Sequence, residues 1–317
     1  MNDVLDRVGR GRLIGIGIAL AVVVLLRDEK EALVIGVITG LGYSLIALGL
    51  VLVYKSSGVF NFAQAEFGSV AVFVLYLARV NDVPYVFAAI LSIAVALAMG
   101  WAVERGVVRP LFEAPRVTLL VATAGVALLS IGVTFWLNDA QGRVVDPAIE
   151  GNAFTLFDII ISKQRMLIVI VVAVISIVLA LFFNRTTLGL AVLAASQEPT
   201  ATNLVGISVR RLSSLVWVIA ALLGALAGIL TGPFEPFGPG AVTSKFLIPG
   251  FTAAVIGGMG SLPGAVLGGV IVGVGQSIGA SGSLLPDSVP GGGAVVTFLL
   301  LAVILAIRPQ GLMGKGK

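Results

Sequence analysis

A chain of 317 residues that is 58% hydrophobic and 11% charged, with a mean hydropathy of +1.10, lacks the polar surface a soluble protein of this size needs. Its net charge of +4 then reports basic residues on the loops of a polytopic membrane protein, not a nucleic-acid partner. There is no Cys and no His, which excludes disulfides, thiolate or imidazole metal sites, and Ser/His or Cys/His nucleophile pairs.

Arg7, Arg10 and Arg12 precede an apolar run over 13–26. No small-residue cleavage site follows; Arg27-Asp28-Glu29-Lys30-Glu31 does, so the run reads as a short, uncleaved first membrane helix. A second helix is expected over 32–54, with Gly36 and Gly40 at small-xxx-small spacing. Residues 56–78 form a third. Its second half is ordinary membrane helix, but its first half places Asn61, Gln64 and Glu66 where lipid is hostile. Glu66 is the one carboxylate well inside an expected membrane segment, and such a residue is a functional candidate by default. The plainer alternative is that it lies near an interface, or cross-links helices together with Asn61 and Gln64. A break near Gly58 would free backbone N–H groups for a carboxylate.

The fourth helix covers 84–103. The loop after it holds Glu104, Arg105, Arg109, Glu113 and Arg116, with Pro110 and Pro115 stopping helical continuation. A fifth covers 117–137. The loop over 138–165 is longer and mostly acidic, and a sixth helix covers 166–183. Residues 184–211 then form a polar connection with two short helical pieces, one over 188–197 and one from Pro199 to about Val205, with Gly206 as a left-handed cap. Short helices of this kind suit docking into a partner's groove, and Gln197, Glu198, Pro199, Asn203, Leu204 and Gly206 are the candidates for it. A plain connector is the competing reading.

The seventh helix, 212–232, carries Gly224, Gly228 and Gly232 on one line. A Pro/Gly loop over 233–245 leads into PGFTAAVIGGMGSLPGAVLGGVIVGVGQSIG, 249–279, apolar throughout and dense in glycine. Glycine inside a helix costs about 1 kcal/mol against alanine, so this density has a reason. Gly260, Gly264 and Gly268 share one helical face, and Gly269, Gly273 and Ser277 a second, spacings that let helix backbones approach closely. Gly257, Gly258, Gly260 and Ser261 form a corner before Pro263, with Ser261 as the N-cap of the next helix. The last helix covers 294–307, ahead of Arg308 and a tail with Lys315 and Lys317.

Basic residues in short loops put the N-terminus, Lys55, 105–116, 185–211 and the C-terminus on the cytoplasmic side. About ten crossings satisfy this. The fold class is therefore an all-α polytopic membrane protein, one transmembrane domain over 1–317. Its halves, roughly 1–138 and 166–317, are expected to be inverted five-helix units with interrupted helices, flanking a cytoplasmic coupling loop over 184–211. Interrupted helices in matching positions point to a pathway near the midplane, here Asn61, Gln64 and Glu66 with Gly257, Gly258, Gly260 and Ser261. Gly224, Gly228, Gly264 and Gly268 are the expected packing positions. No phosphate-cradling GxxxxGK[ST] loop is present, nor a chain of intramembrane carboxylates.

Four motifs then occur in order: GLVLVYKSSGVFNFAQAEFG (49–68), VGIS (205–208), FTAAVIGGMGSLPGAVLGG (251–269) and RPQGLMG (308–314). Together they resemble the branched-chain amino-acid ABC permeases of the LivH/LivM type, nearer LivH by length, over nearly the whole chain from about Ile35. Gln64 and Ala65 stand where that family usually has His and Gly. The resemblance implies a non-enzymatic importer subunit of a bacterial inner membrane. Its partners would be ATPase subunits holding ATP-Mg, a second identical or related permease, and an extracytoplasmic binding protein. Urea or short-amide permeases share the architecture, and a secondary carrier working alone is a third reading.

Overall fold

The computed structural model describes residues 29–138, 141–240, 242–282 and 289–314. The expected helix over 13–26 with its preceding arginines, Asp139, Asp287 and the tail lysines Lys315 and Lys317 lie outside the described residues. The helices are α1 (Lys30–Ser57), α2 (Gln64–Val80), α3 (Tyr85–Val103), α4 (Arg116–Asn138), α5 (Lys163–Arg185), α6 (Thr187–Gln197), α7 (Pro199–Leu204), α8 (Val209–Thr231), α9 (Ile248–Gly257), α10 (Leu262–Ala280) and α11 (Gly292–Ile307). Among the described residues, six helices are long and apolar enough to cross a membrane: α1, α3, α4, α5, α8 and α10. The chain is a helical, multi-pass membrane protein.

Start and stop chemistry follows local rules. Ser162, Thr186, Ser208 and Ser261 each accept a hydrogen bond from the amide three residues on, opening α5, α6, α8 and α10. Gly58 closes α1 at φ 67°, a left-handed conformation that suits glycine.

α1 and α8 form the centre. In their most apolar stretches 72% and 67% of residues are buried, against 22–28% in α3, α4 and α5. Small residues set the approach of each central pair. α1 runs antiparallel to α10: a Cβ on Gly36 would stand 2.7 Å from the Val274 Cα, and one on Gly40 2.8 Å from the Val270 Cα. α2 runs parallel to α8, with Gly68 facing the Gly224 carbonyl oxygen and the Gly228 backbone. α9 and α10 fold on each other through Gly257 against Gly264 and Ala253 against Gly268. Gly260 is different. It precedes α10, and a Cβ there would meet nothing within 4 Å, so it does not belong to the close-contact line that its spacing implied.

Three further features depart from the expectations. First, the acidic loop carries regular structure of its own within an otherwise helical chain. The acidic loop contains an antiparallel hairpin, β1 (Asn152–Leu156) with β2 (Ile159–Ser162). Its two-residue turn puts Phe157 and Asp158 at φ 52° and 68°, the left-handed pair of a type I′ turn. An isoleucine-rich second strand supplies the β-branched residues that favour pairing. Second, α3 does not end where charges begin but continues through a π-helical turn, Glu104–Val108. Glu104 is fully buried and not a solvated loop residue. Arg109 donates to its carboxylate at 3.0 Å, and Ser214 of α8 donates to the same oxygen at 2.6 Å. Third, α9 is preceded by another π turn, Thr243–Leu247, which begins within the last residues of the expected Pro/Gly loop.

Candidate functional site

The interrupted helix α2 begins with an Asn61 turn. Asn61 Oδ1 accepts from the Ala63 amide at 3.0 Å, and its Nδ2 donates to Gln64 Oε1 at 3.4 Å. Gln64 Nε2 donates across to the Ala220 carbonyl of α8 at 2.8 Å. The Gln64 amide fits because Gly49 has no Cβ where it lies. Phe62 donates its amide to Thr123 Oγ1 of α4 at 3.2 Å. The amides of Gly58, Phe62, Ala63 and Gln64 all have partners within the chain.

Asn61, Gln64 and Glu66 are all fully buried. Glu66 faces away from the other two. Thr243 in the second π turn donates to its Oε1, and Ser69 and Ser130 stand beside the same carboxyl. Its Oε2 has no hydrogen-bond partner among the described residues. Thr243 and Ser130 lie 177 and 64 positions away in sequence, so no local signal could have paired them with Glu66.

The Gly257–Ser261 corner has separate partners. Gly258 takes φ 99°. Lys55 Nζ donates to the Gly260 carbonyl at 3.1 Å. The segment 308–314 straps the corner from outside: Leu312 donates to Ile256 O at 2.7 Å and Met313 to Gly257 O at 3.0 Å. These bonds satisfy carbonyls that a helix C-terminus otherwise leaves open. Gly311, at φ 77°, lies so close to Gly258 that a Cβ would stand 2.5 Å from its Cα. Two stretches read separately in the sequence thus form one structural unit. The expected pathway residues do not all converge: Asn61 binds Gln64 and Gln64 binds α8, Glu66 binds the π turn, and the corner binds the strap and Lys55.

The 184–211 connection contains the two expected short helices, α6 and α7, with Gly206 left-handed at φ 84°. Val192 and Ala195 anchor α6 inward. Leu204 and Val205 are 83% and 74% exposed, and Gln197, Glu198 and Asn203 are exposed as well. Asn203 Oδ1 accepts from the Val209 amide at 3.3 Å, tying the end of α7 to α8. Pro199 opens α7.

At the opposite end, Lys245 pairs with Glu235 beside a cavity of about 520 Å³. The Pro/Gly reading of that loop missed both. The family profile described as "Branched-chain amino acid transport system / permease component" matches residues 32–307. The chain belongs to this family. The permease is similar to the high-affinity branched-chain amino acid transport system permease protein BraD of Pseudomonas aeruginosa, 34% identical over 303 residues, 90% of this chain and 95% of the relative. It is also 30% identical to the high-affinity branched-chain amino acid transport system permease protein LivH of Salmonella typhimurium, over 294 residues, 88% of this chain and 94% of that protein. Among solved structures it is similar to PsaBC from Streptococcus pneumoniae in complex with Fab, with a TM-score of 0.50 over 92% of this chain and 97% of that one. At 13% identity that likeness concerns the fold alone.

Proposed function

We propose that the chain is the membrane-spanning subunit of a bacterial inner-membrane ABC importer for branched-chain or related amino acids. The observation that carries this reading is family membership over 32–307, with amino-acid permeases among its relatives. ATP-Mg is hydrolysed on partner ATPase subunits, a second permease completes the path, and an extracytoplasmic protein delivers substrate. Ten crossings, in two inverted halves, keep both termini cytoplasmic. The Lys55 end, with the 184–211 connection, faces the cytoplasm, and the hairpin end faces outward. The exposed Leu204 and Val205, beside Gln197, Glu198, Pro199 and Gly206, support an ATPase contact at that connection. The interrupted helices α2 and α9, carrying Asn61, Gln64, Glu66 and the Gly257–Ser261 corner, are the elements that shift as the path alternates. Substrate and nucleotide can drive this only by binding its states unequally.

The test is ATP-driven uptake of labelled leucine by the assembled transporter in proteoliposomes. Unlabelled isoleucine and valine are expected to suppress it, urea is not, and dissipating ion gradients should leave it intact. Suppression by urea but not by isoleucine would assign the other substrate class. Uptake that needs an ion gradient but no ATP would assign a secondary carrier.

A further inference from the structure

The cavity of about 520 Å³ lies between α1, α5, α8, the second π turn and α11. Its size falls within the range of about 300–1,000 Å³ typical of small-ligand pockets. The π turn directs Lys245 at Glu235, and the two form an ion pair whose side chains stay 43% and 49% exposed. Arg165, at the start of α5, lies with its guanidinium 5.2 Å from the Phe234 ring centre and lines the same space. Gln276 of α10 faces it from the other side. Its side chain lies beside the Tyr43 hydroxyl, and its Oε1 is buried and has no partner among the described residues. The rest of the wall is largely aliphatic and aromatic, with Ile38, Ile168 and Phe246 prominent.

This cavity holds both signs of charge, a net excess of one positive charge, an orphaned acceptor and an apolar wall. That set matches one chemical class: a zwitterion with a carboxylate, an ammonium and a branched aliphatic tail. We propose that this cavity is a docking site for the α-amino-acid zwitterion within the permease itself. The substrate carboxylate takes Lys245 and Arg165. The ammonium takes Glu235 and the free Gln276 Oε1, and the side chain lies against Ile38, Ile168 and Phe246. The resting Lys245–Glu235 pair exchanges partners with the substrate, so neither charge is left bare on filling or emptying. This rests on the amino-acid importer reading above.

The experiment measures equilibrium binding of labelled leucine to the assembled transporter without its binding protein, competed by leucine methyl ester, which lacks the carboxylate, and 4-methylpentanoate, which lacks the ammonium. Each analogue is expected to compete about tenfold or more weakly than leucine, the factor for losing one charged contact. Glu235→Gln should weaken the discrimination against 4-methylpentanoate, and Lys245→Gln that against the ester. No leucine binding, or competition by either analogue as strong as that of leucine itself, overturns the proposal using wild-type protein alone, so it does not depend on either variant folding. Complete uptake assays separate the two levels. If wild type imports leucine and the folded variants import it with unchanged rate and KM, the cavity proposal fails while the importer reading stands. If wild type imports no leucine, the importer reading itself falls.

Discussion

Gly228 shows how a missing side chain sets helix spacing. A Cβ there would stand 2.7 and 2.8 Å from the Gly68 carbonyl carbon and Cα, which are backbone atoms with nowhere to move. Gly228→Ala must therefore separate α2 from α8, at a cost of about 1–3 kcal/mol for such overpacking. Gly260→Ala adds its methyl to open space and should stay within about 0.5 kcal/mol. Thermal unfolding of the two variants in detergent checks this: a drop for Gly228→Ala with none for Gly260→Ala is expected, and equal behaviour would contradict it. The i, i+4 glycine lines were legible because the spacing is local. Where a line ends was not. Gly260 continues the arithmetic of Gly264 and Gly268, yet the helix opens only at Leu262. The partner of each line also lay beyond local reach, as did the placement of Thr243 against Glu66.

At the scale of elements, the 184–211 connection was the most readable piece outside the long helices. Pro199 at a helix start and Gly206 at φ 84° are punctuation that acts within one turn. The π turns escaped notice because one extra residue in a hydrogen-bond ladder leaves no change of composition. The hairpin escaped because its turn uses Phe157-Asp158 in place of the usual Asn-Gly. The strap escaped because its contact with α9 spans some fifty residues of sequence. The proposed coupling role of α7 has a direct check. Replacing 197–205 with a flexible Gly/Ser segment removes Leu204 and Val205 from the surface but leaves α6 and α8, which pack through Val192, Ala195 and Leu212. The variant should reach the membrane in normal amount, yet lose ATPase assembly or the stimulation of ATP hydrolysis by loaded binding protein. A connector with no coupling role predicts normal stimulation in the same reconstituted assay.

The whole molecule carries a pattern of paired contacts that supports inverted halves. If α1 corresponds to α8, α2 to α9 and α3 to α10, each contact in one half should have a counterpart. The α2–α8 packing at Gly68 and Gly228 matches the α9–α1 packing, where Gly250 meets Ile46. The α3–α8 contact of Gly100 with Ala221 and Trp217 matches the α10–α1 glycine seam. The α2–α3 pair matches the α9–α10 pair, and both second members follow an interrupted helix. In the proposed inverted arrangement each helix runs opposite to its counterpart. The proposed orientation rests on the positive-inside bias: Lys55, Arg105, Arg109, Arg185, Arg210 and Arg211 gather at one end, while the hairpin end mixes Arg79, Lys163, Arg165 and Lys245 with Asp146, Glu150, Asp158 and Glu235. The chain has no native cysteine, so single cysteines report without background. Thr155 on β1 and Ala201 on α7 are both exposed and belong to opposite ends. Thr155→Cys is expected to react with a membrane-impermeant thiol reagent in intact cells, and Ala201→Cys only after lysis. The reverse order would invert the whole molecule in the bilayer. It would leave the packing as described but place the Leu204–Val205 surface where no ATPase can reach it.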